Sequence, residues 1–297
     1  MKNLSAVDFA QAFGLESLPA QCLTTMARAN FQYADADLKA CVLEVLTTLN
    51  SKLPLAGQVD KWEAGWEENL KEYLATGSVD ALMPKYFFKH SVLRYKRKYI
   101  RPVSPRFEAD YYTVVCQILF HKYLSEANSI IEFGAGTGFS LMILSEMFPE
   151  KPLVGCDWAK PSQLILKAIA EKTGKPIIGV NFNMFSPQHE YAMVPFREGS
   201  AVITVLAMEQ LGTNYQRFLD YLLAKKPSIC VHLEPIVELY QEHNLLDYLA
   251  IRYHQKRQYL DGFLTSLKGK VELIDVRRLY FGSFFHEAYS VVVWRPR

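Results

Sequence analysis

The sequence predicts an α/β fold with a mostly parallel sheet, and three observations support this prediction. From residue 129 onward, short apolar strands alternate with segments of helical periodicity, which is the pattern of a parallel sheet with helices on both faces. A glycine-rich turn joins the first of these strands to a helix. The last two strands follow one another without a helix between them.

The strands and helices of this second part of the chain alternate regularly. Parallel strands are predicted at 129–133, 152–156, 177–180, 200–206 and 228–233. Helices are predicted at 139–148, 162–172, 215–224 and 235–267, the last with a break near His243 and Asn244. The two final strands are predicted at 271–276 and 288–294. Their short connection allows only antiparallel pairing.

The glycine-rich turn is the most informative motif of the chain. It reads Glu132-Phe133-Gly134-Ala135-Gly136-Thr137-Gly138, so an acid near the strand end is followed by three glycines at every second position. Glycine lets the backbone approach a ligand where a Cβ would collide, and open α/β sheets bind nucleoside-containing cofactors at this position. A dinucleotide fingerprint requires its third glycine one residue later, where Phe139 stands. A triphosphate-binding loop requires Gly-Lys-Ser/Thr at the start of the helix, and this sequence lacks it there. The alternative interpretation of the motif is a purely structural strand-to-helix turn.

Composition and charge argue against several classes of protein. The net charge of +2 is too close to neutral for a generalised nucleic-acid binder. The sequence has no apolar run long enough for a membrane span, and its N-terminus lacks the apolar segment of a signal peptide. The five cysteines are scattered and odd in number, which predicts reduced thiols in a cytoplasmic protein. Because no Cys and His cluster has zinc spacing, no metal is predicted.

Two features together resemble class I S-adenosylmethionine-dependent methyltransferases. The pattern Glu-x-Gly-x-Gly-x-Gly at 132–138 is similar to the first motif of that family, and the antiparallel final strand is similar to the end of its sheet. The resemblance extends from about residue 125 to the C-terminus. It implies a Rossmann-like, seven-stranded, mostly parallel sheet with one antiparallel strand in a catalytic domain at 109–297. It also implies S-adenosylmethionine as the cofactor.

Residues 1–108 are predicted to form an N-terminal helical cap. Helix-like apolar spacing covers 38–53, 62–74 and 79–95, with glycines and prolines as breaks. In this family such additions often cover the cofactor pocket and select the substrate.

A basic segment at 85–106 belongs to this cap. It carries eight lysines and arginines and no acid. One interpretation is a solvated helix face, and the other is a mouth that attracts a substrate anion, the cofactor carboxylate or RNA. In related enzymes the segment that precedes the core often supplies a tyrosine or an arginine to the cofactor carboxylate. The resemblance implies Tyr99 and Arg101 for that role.

Further cofactor ligands are predicted at strand ends. Asp157 follows the second strand, where a carboxylate can accept hydrogen bonds from both ribose hydroxyls, and it matches the second motif of the family. A helix N-cap is its alternative role. Trp158 lies either against adenine or in the core. The turn after the third strand carries Asn183 and Met184, and Asn183 stands where the family commonly has an acid that meets the adenine amino group. The resemblance places the motif residues at the methionine end of the cofactor: Glu132, Gly134, Gly136 and Gly138.

Three residues are candidates for a base that takes a proton from the methyl acceptor. Glu209 follows the fourth strand, in a segment similar to the cofactor–substrate boundary of many small-molecule methyltransferases. Glu234 ends the fifth strand and faces the substrate side, whereas His232 before it is interpreted as a core residue. His286 lies between the last two strands and titrates near neutral pH. Each has an ordinary structural interpretation as well, and the sequence does not rank them.

The sequence therefore predicts a methyltransferase that acts on oxygen or nitrogen of a small, anionic or aromatic metabolite. A nucleic acid or a membrane is not an expected partner, and the oligomeric state is left open. An RNA or protein methyltransferase that uses the segment 85–106 is one alternative. A non-catalytic binding or scaffold protein with the cofactor fold is another. A dinucleotide oxidoreductase is disfavoured by Phe139 in the glycine motif.

Overall fold

The computed structural model describes residues 2–57, 59–187 and 193–297 of the chain. The helices, in chain order, are α1 (Ala6–Phe13), α2 (Ala20–Arg28), α3 (Leu38–Asn50), α4 (Val59–Thr76), α5 (Phe107–Leu124), α6 (Phe139–Met147), α7 (Lys160–Thr173), α8 (Gln216–Lys225), α9 (Leu245–Arg257) and α10 (Phe263–Leu267). The strands are β1 (Lys2–Asn3), β2 (Asn30–Tyr33), β3 (Leu93–Tyr95), β4 (Lys98–Pro102), β5 (Ser129–Phe133), β6 (Leu153–Asp157), β7 (Ile177–Asn181), β8 (Ser200–Val205), β9 (Ile229–Glu234), β10 (Val271–Arg278), β11 (Phe281–Gly282) and β12 (Ser290–Pro296).

The larger sheet confirms the predicted fold class. Within the described residues it has seven strands in the order β10-β12-β9-β8-β5-β6-β7. β12 runs antiparallel to both of its neighbours, and all other neighbouring strands are parallel. Each strand of this sheet lies within two residues of its predicted bounds.

The strand order reverses between β5 and β8. The chain continues from β5 to β6 and β7 on one side of the sheet, and β8 and β9 then extend it on the other side. In open α/β sheets, ligands bind in the crevice outside the carboxyl ends of the strands at such a reversal. All residues of β5, β8 and β9 are buried, as expected for central parallel strands covered by helices on both faces.

The N-terminal region is only partly helical, so the predicted helical cap is corrected. It contains α1 to α4 and most of a second sheet, in which β1, β2, β4, β3 and β11 pair antiparallel in that order. The helix predicted at 79–95 is wrong, because that segment forms two short 3-10 turns and β3. β3 and β4 form a hairpin through Lys96 and Arg97, both with positive φ (50° and 58°). A two-residue turn with positive φ usually contains glycine or asparagine, and this turn contains neither.

The division of the chain at residue 108 stays a prediction. α5 begins at Phe107, next to the proposed boundary, and β11 comes from the C-terminal part of the chain. β11 pairs with β3, so residues 281–282 complete the N-terminal sheet.

The cap is attached directly to the glycine loop of the larger sheet. The hydroxyl of Thr137, within that loop, donates a hydrogen bond of 2.5 Å to the carbonyl of Leu82. The side-chain amide of Asn69 on α4 donates to the carbonyls of Ala81 (2.7 Å) and Met83 (3.1 Å). These bonds fix α4 and the segment 81–83 over the carboxyl end of β5.

The helical stretch predicted at 235–267 is interrupted as expected. Asn244 is the N-cap of α9, and its side-chain oxygen accepts the N–H groups of Leu246 (3.1 Å) and Asp247 (3.2 Å). α9 packs against α3 of the cap. No helix among the described residues combines the length and apolar character needed to cross a bilayer. All five cysteines are buried and free of disulfide bonds.

Candidate functional site

A cleft lies at the carboxyl ends of β5, β6 and β8, where the strand order reverses. The sheet contributes the glycine loop and the segments that follow β6, β7 and β8. The cap contributes Gly57, Trp62, Trp66, Pro84 and Tyr86 from the opposite side. The cleft is therefore formed between the sheet and the cap.

The glycine loop is shaped by close packing as well as by its backbone angles. Gly134 and Gly136 have φ of +77° and +51°, a region that side chains other than glycine rarely adopt. A Cβ on Gly134 would lie 2.3 Å from the Cβ of Ala207, and one on Gly136 would lie 3.0 Å from the ring of Trp66. The loop thus approaches the segment after β8 and the cap too closely for any other residue.

Asp157 fixes this loop to the end of β6. Its Oδ2 accepts the N–H of Gly136 and its Oδ1 accepts the N–H of Ala159, both at 2.9 Å. The side chain lines the cleft although the residue is only 6% exposed. Burial raises the pKa of this carboxyl to about 6, against the opposing effect of the N–H donors. A carboxylate oxygen accepts more than one hydrogen bond, so the group can also bind a ligand.

Glu132 contributes an acceptor atom that the protein leaves unused. The hydroxyl of Ser140 donates to its Oε1. No donor among the described residues reaches its Oε2, which is buried. Burial raises the pKa of this carboxyl to about 8. Because buried polar atoms are almost always hydrogen-bonded, an unpartnered oxygen on a residue that lines the cleft marks Glu132 as a candidate ligand residue.

Aromatic rings cover the cleft. Trp62 and Trp66 lie one turn apart on α4 with ring centroids 5.4 Å apart, and Tyr86 meets Trp62 edge-on at 6.0 Å. Tyr112 and Trp158 complete this aromatic wall. No lysine or arginine lines the cleft in the described part of the chain, and its acids are Glu132 and Asp157. Carboxylates and π faces without a competing cation favour a positively charged ligand.

Gln210 forms the wall of the cleft on the side of β8. Its Oε1 accepts the N–H of Gly57 at 3.1 Å and the indole N–H of Trp62 at 3.4 Å. Its amide nitrogen donates to Oε1 of Glu209 at 2.8 Å. The nearby Leu206 has φ of +52°, a strained conformation at the end of β8. Gln210 therefore joins the segment after β8 to the cap.

The predicted cofactor residues of the sheet come together in this cleft. Trp158, Asn183 and Met184 line it together with Glu132, Gly134, Gly136 and Asp157. Gly138 lies behind the loop as the N-cap of α6 and does not line the cleft. The side-chain oxygen of Asn183 accepts the N–H of Phe185 at 2.9 Å, which holds the turn after β7. The cofactor roles of these residues stay predictions.

Tyr99 and Arg101 lie elsewhere, on β4 of the smaller sheet. Tyr99 accepts a hydrogen bond of 3.2 Å from the buried Arg94, and Arg101 pairs with Asp37 at 2.8 Å. Neither residue lines the cleft. The resemblance alone suggested this role, and both residues instead lie in the hairpin of β3 and β4.

The remaining basic residues of 85–106 are mostly paired with acids. The pairs are Lys85 with Glu68 and Glu72, Lys96 with Asp8, Arg97 with Asp247, Lys98 with Asp35, and Arg106 with Asp80. A segment whose charges are compensated in this way does not form an open anion-attracting mouth.

The three predicted base candidates lie outside the lining of the cleft. Glu234 accepts the N–H groups of Ala207 and Met208, both at 3.0 Å, and so begins the short 3-10 helix after β8. Burial raises its pKa to about 7, and burial together with the nearby Glu234 raises that of Glu209 to about 8. His286 is buried, and burial holds its pKa well below the usual range. Their catalytic roles stay predictions, and the backbone contacts of Glu234 indicate a structural role.

Sequence reasoning missed the aromatic cover and Gln210. The only signal for the cover was the spacing of Trp62 and Trp66, four residues apart on a predicted helix, which places both rings on one face. Nothing in the sequence indicated that this face would meet the glycine loop.

Comparisons with known proteins support the fold. No protein-family model matches the chain, and no curated protein matches its sequence. Among solved structures, the [4+2]-cyclase SpnF is 13% identical, with 83% of this chain and 97% of that chain covered and a TM-score of 0.51. Geranyl diphosphate C-methyltransferase from Streptomyces coelicolor A3(2) is 9% identical, with 78% of this chain and 98% of that chain covered and a TM-score of 0.46. The pyocyanin biosynthetic protein PhzM is 11% identical, with 79% of this chain and 69% of that chain covered and a TM-score of 0.46.

The strand order and the likeness to SpnF define the class of the fold. The chain has the class I S-adenosylmethionine-dependent methyltransferase fold: a seven-stranded sheet with one antiparallel strand and a glycine loop after β5, next to the central strand β8. A fold hosts many reactions, so the function is argued from the site.

Proposed function

We propose that the protein is an S-adenosylmethionine-dependent methyltransferase that acts on oxygen or nitrogen of a small molecule. The observation that carries the proposal is the convergence of Glu132, Gly134, Gly136 and Asp157 in one cleft at the strand-order reversal. S-adenosylmethionine supplies a methyl group on a sulfonium and leaves as a neutral thioether.

The charges of the cleft support this cofactor against a nucleotide phosphate. Glu132 and Asp157 are acids, and no basic side chain of the described residues lines the cleft. A polyphosphate there would lack a cation partner and would meet the carboxylate of Asp157. The sulfonium and the amino group of S-adenosylmethionine are cations, and they would lie in a cleft lined by Glu132, whose Oε2 has no partner among the described residues, and by Asp157.

The cap supports a small acceptor. Trp62, Trp66 and Tyr86 cover the cleft opposite the sheet, so a polymer would have to displace them. The charge pairs of 85–106 remove the feature that favoured RNA in the sequence, because a phosphate backbone needs uncompensated lysine and arginine.

Calorimetric titration with S-adenosylmethionine and S-adenosylhomocysteine tests the proposal. We expect binding of both, weakened about 10- to 100-fold by Asp157→Asn, because hydrogen bonds to a charged acceptor are lost. Asp220→Asn is the matched control, since Asp220 is exposed on α8 and, among the described residues, is bonded to Gln216 of its own helix. Absence of binding by folded protein would contradict the proposal, as would equal effects of the two variants.

A further inference from the structure

Tyr86 is the residue of the cap whose polar group reaches the cofactor cleft with no assigned role. It belongs to the short 3-10 turn Lys85–Phe88 and lines the cleft opposite the sheet. Its ring meets the rings of Phe87 and Trp62 edge-on, with centroid distances of 4.8 and 6.0 Å. These contacts hold the ring in place, so its hydroxyl has a defined position.

The hydroxyl of Tyr86 is free to bind a ligand. Among the described residues it has no hydrogen-bond partner. Its oxygen is also not one of the fully buried polar atoms that lack a partner, and Tyr86 as a whole is only partly buried. The hydroxyl therefore meets open space, and Tyr86 lines the cleft. A phenol hydroxyl both donates and accepts hydrogen bonds.

Nearby acids locate this hydroxyl over the carboxyl end of β8. Four carboxyls lie close enough to act on it, those of Glu209, Glu108, Glu234 and Glu132. Glu132 lies near the end of β5 and Glu234 ends β9, and β8 runs between these two strands. A group close to both acids lies over the end of β8, where residues 205–207 line the cleft.

The protonation of these groups responds to a positive charge. Burial raises the pKa of Glu234 to about 7 and the pKa values of three others to about 8, namely Glu209, Glu132 and Glu108. Burial and these acids raise the pKa of Tyr86 well above its usual range, so its hydroxyl keeps its proton. A carboxyl that titrates near neutral pH ionises when a cation comes close, and the carboxylate then stabilises the cation.

The charge change of methyl transfer favours an amine in these surroundings. The nitrogen lone pair forms the new bond to the methyl carbon, the carbon–sulfur bond breaks, and its electron pair stays on sulfur. The positive charge thus moves from the sulfonium to the new ammonium and remains beside the acids. Transfer to a hydroxyl ends in a neutral ether once the proton is lost. An anionic acceptor would lack a cation partner, because no lysine or arginine of the described residues lines the cleft.

We propose that the hydroxyl oxygen of Tyr86 accepts an N–H of the methyl acceptor at the carboxyl end of β8, and that the acceptor is a primary or secondary amine. This proposal rests on the proposed function, because the cleft is assigned to S-adenosylmethionine. An N–H held by this oxygen leaves the nitrogen lone pair free to face the sulfonium methyl group. The proposal revises the anionic acceptor expected from the sequence.

Calorimetric titration of the full chain with three cofactor analogues tests the role of Tyr86. S-adenosylmethionine has a cationic centre without an N–H, sinefungin carries a primary amine in place of the methyl group, and S-adenosylhomocysteine is neutral there. We expect sinefungin to bind at least tenfold more tightly than S-adenosylmethionine. Tyr86→Phe should remove this preference and leave the affinities for the other two unchanged, because it deletes only the oxygen.

Two further variants separate this effect from a general disturbance. Tyr248→Phe makes the same change on α9, where Tyr248 is 47% exposed and outside the cleft, and should bind all three analogues like wild type. Glu209→Gln should weaken the two cationic analogues about tenfold and leave S-adenosylhomocysteine unchanged, because the neutral amide cannot ionise beside a cation. This variant keeps the test decisive should Tyr86→Phe fail to fold.

The class of acceptor is tested with three compounds of similar shape. Benzylamine, benzyl alcohol and benzoate are each titrated into the full chain saturated with S-adenosylhomocysteine. We expect benzylamine to bind at least tenfold more tightly than the other two, and Tyr86→Phe to remove this difference.

The outcomes distinguish this proposal from the proposed function. The proposal is overturned if wild type binds sinefungin no more tightly than S-adenosylmethionine. It is also overturned if Tyr86→Phe weakens all three analogues alike, since Tyr86 would then contact the cofactor, or if benzyl alcohol or benzoate binds as well as benzylamine. Failure of every analogue to bind would overturn the proposed function instead.

Discussion

The carboxylate of Asp157 accepts the backbone N–H of Gly136 at 2.9 Å, so the acid that ends β6 fixes the middle glycine of the loop after β5. This single contact joins the ends of two neighbouring parallel strands, β5 and β6, beside the reversal between β5 and β8. It also orients Asp157 into the cleft, where its remaining acceptor capacity faces a ligand.

Gly134→Ala should destabilise the protein more than an alanine at another left-handed glycine. Gly134 has φ of +77°, and a Cβ there would lie 2.3 Å from that of Ala207. Gly174 has φ of +67° with nothing within 4 Å of a Cβ, so Gly174→Ala carries only the backbone strain of about 1–2 kcal/mol. Urea denaturation of both variants measures the difference in free energy of unfolding. Equal losses would show that the close packing of the loop is not as described.

Trp66→Ala should weaken binding of S-adenosylhomocysteine about tenfold, because its ring packs on Gly136 and covers the cleft. Leu74→Ala on the same helix is the control, since Leu74 is 65% exposed and outside the cleft. Calorimetry compares the two affinities. Unchanged binding in Trp66→Ala would mean that α4 does not cover the cofactor.

Glu108→Gln should stabilise the protein at pH 8 and have little effect at pH 4.5. Burial raises the pKa of Glu108 from 4.5 to about 8, so the folded state binds this proton more tightly than the unfolded state. The stability that this group contributes is present at low pH and is lost as the pH rises from about 4.5 to about 8.

Denaturation at both pH values, with the exposed Glu126→Gln as control, measures this effect. The gain at pH 8 should reach at most a few kcal/mol, since one pKa unit corresponds to about 1.4 kcal/mol. The same change in stability at both pH values would rule out burial as its cause.

Arg278→Met should cost about 3–5 kcal/mol of stability, because it leaves Asp247 and Glu287 buried without their main cation. All three side chains are at most 3% exposed. Lys98→Met removes the exposed pair with Asp35 and should cost less than about 1 kcal/mol. Thermal and chemical denaturation rank the two variants, and a similar small cost for both would contradict the buried network.

The sequence predicts the larger sheet and the strand-end residues that line the cleft, because both depend on local patterns. Glu132, the glycines and Asp157 lie at strand ends that the apolar runs define, and strand order then brings them together. The hairpin at Lys96 and Arg97 escaped prediction because its left-handed turn contains neither glycine nor asparagine.

The rest of the site depends on contacts between distant parts of the chain. Trp66 meets Gly136 only because α4 packs over the sheet, which no local pattern specifies. His254 and His286 are 32 residues apart, and neither shows in the sequence that the other will be its partner. Glu234 was predicted to face the substrate because it ends a strand. Its hydrogen bond from the N–H of Met208 joins residues 26 positions apart, and no local pattern indicates it.

A crystal structure of the protein with S-adenosylhomocysteine tests the central claim most directly. The account predicts the adenosyl group in the cleft between the glycine loop and Trp66, with both ribose hydroxyls within hydrogen-bonding distance of the carboxylate of Asp157. The amino group of the ligand should lie at Oε2 of Glu132. A ligand bound outside this cleft, or bound in it with the ribose away from Asp157, would contradict the account.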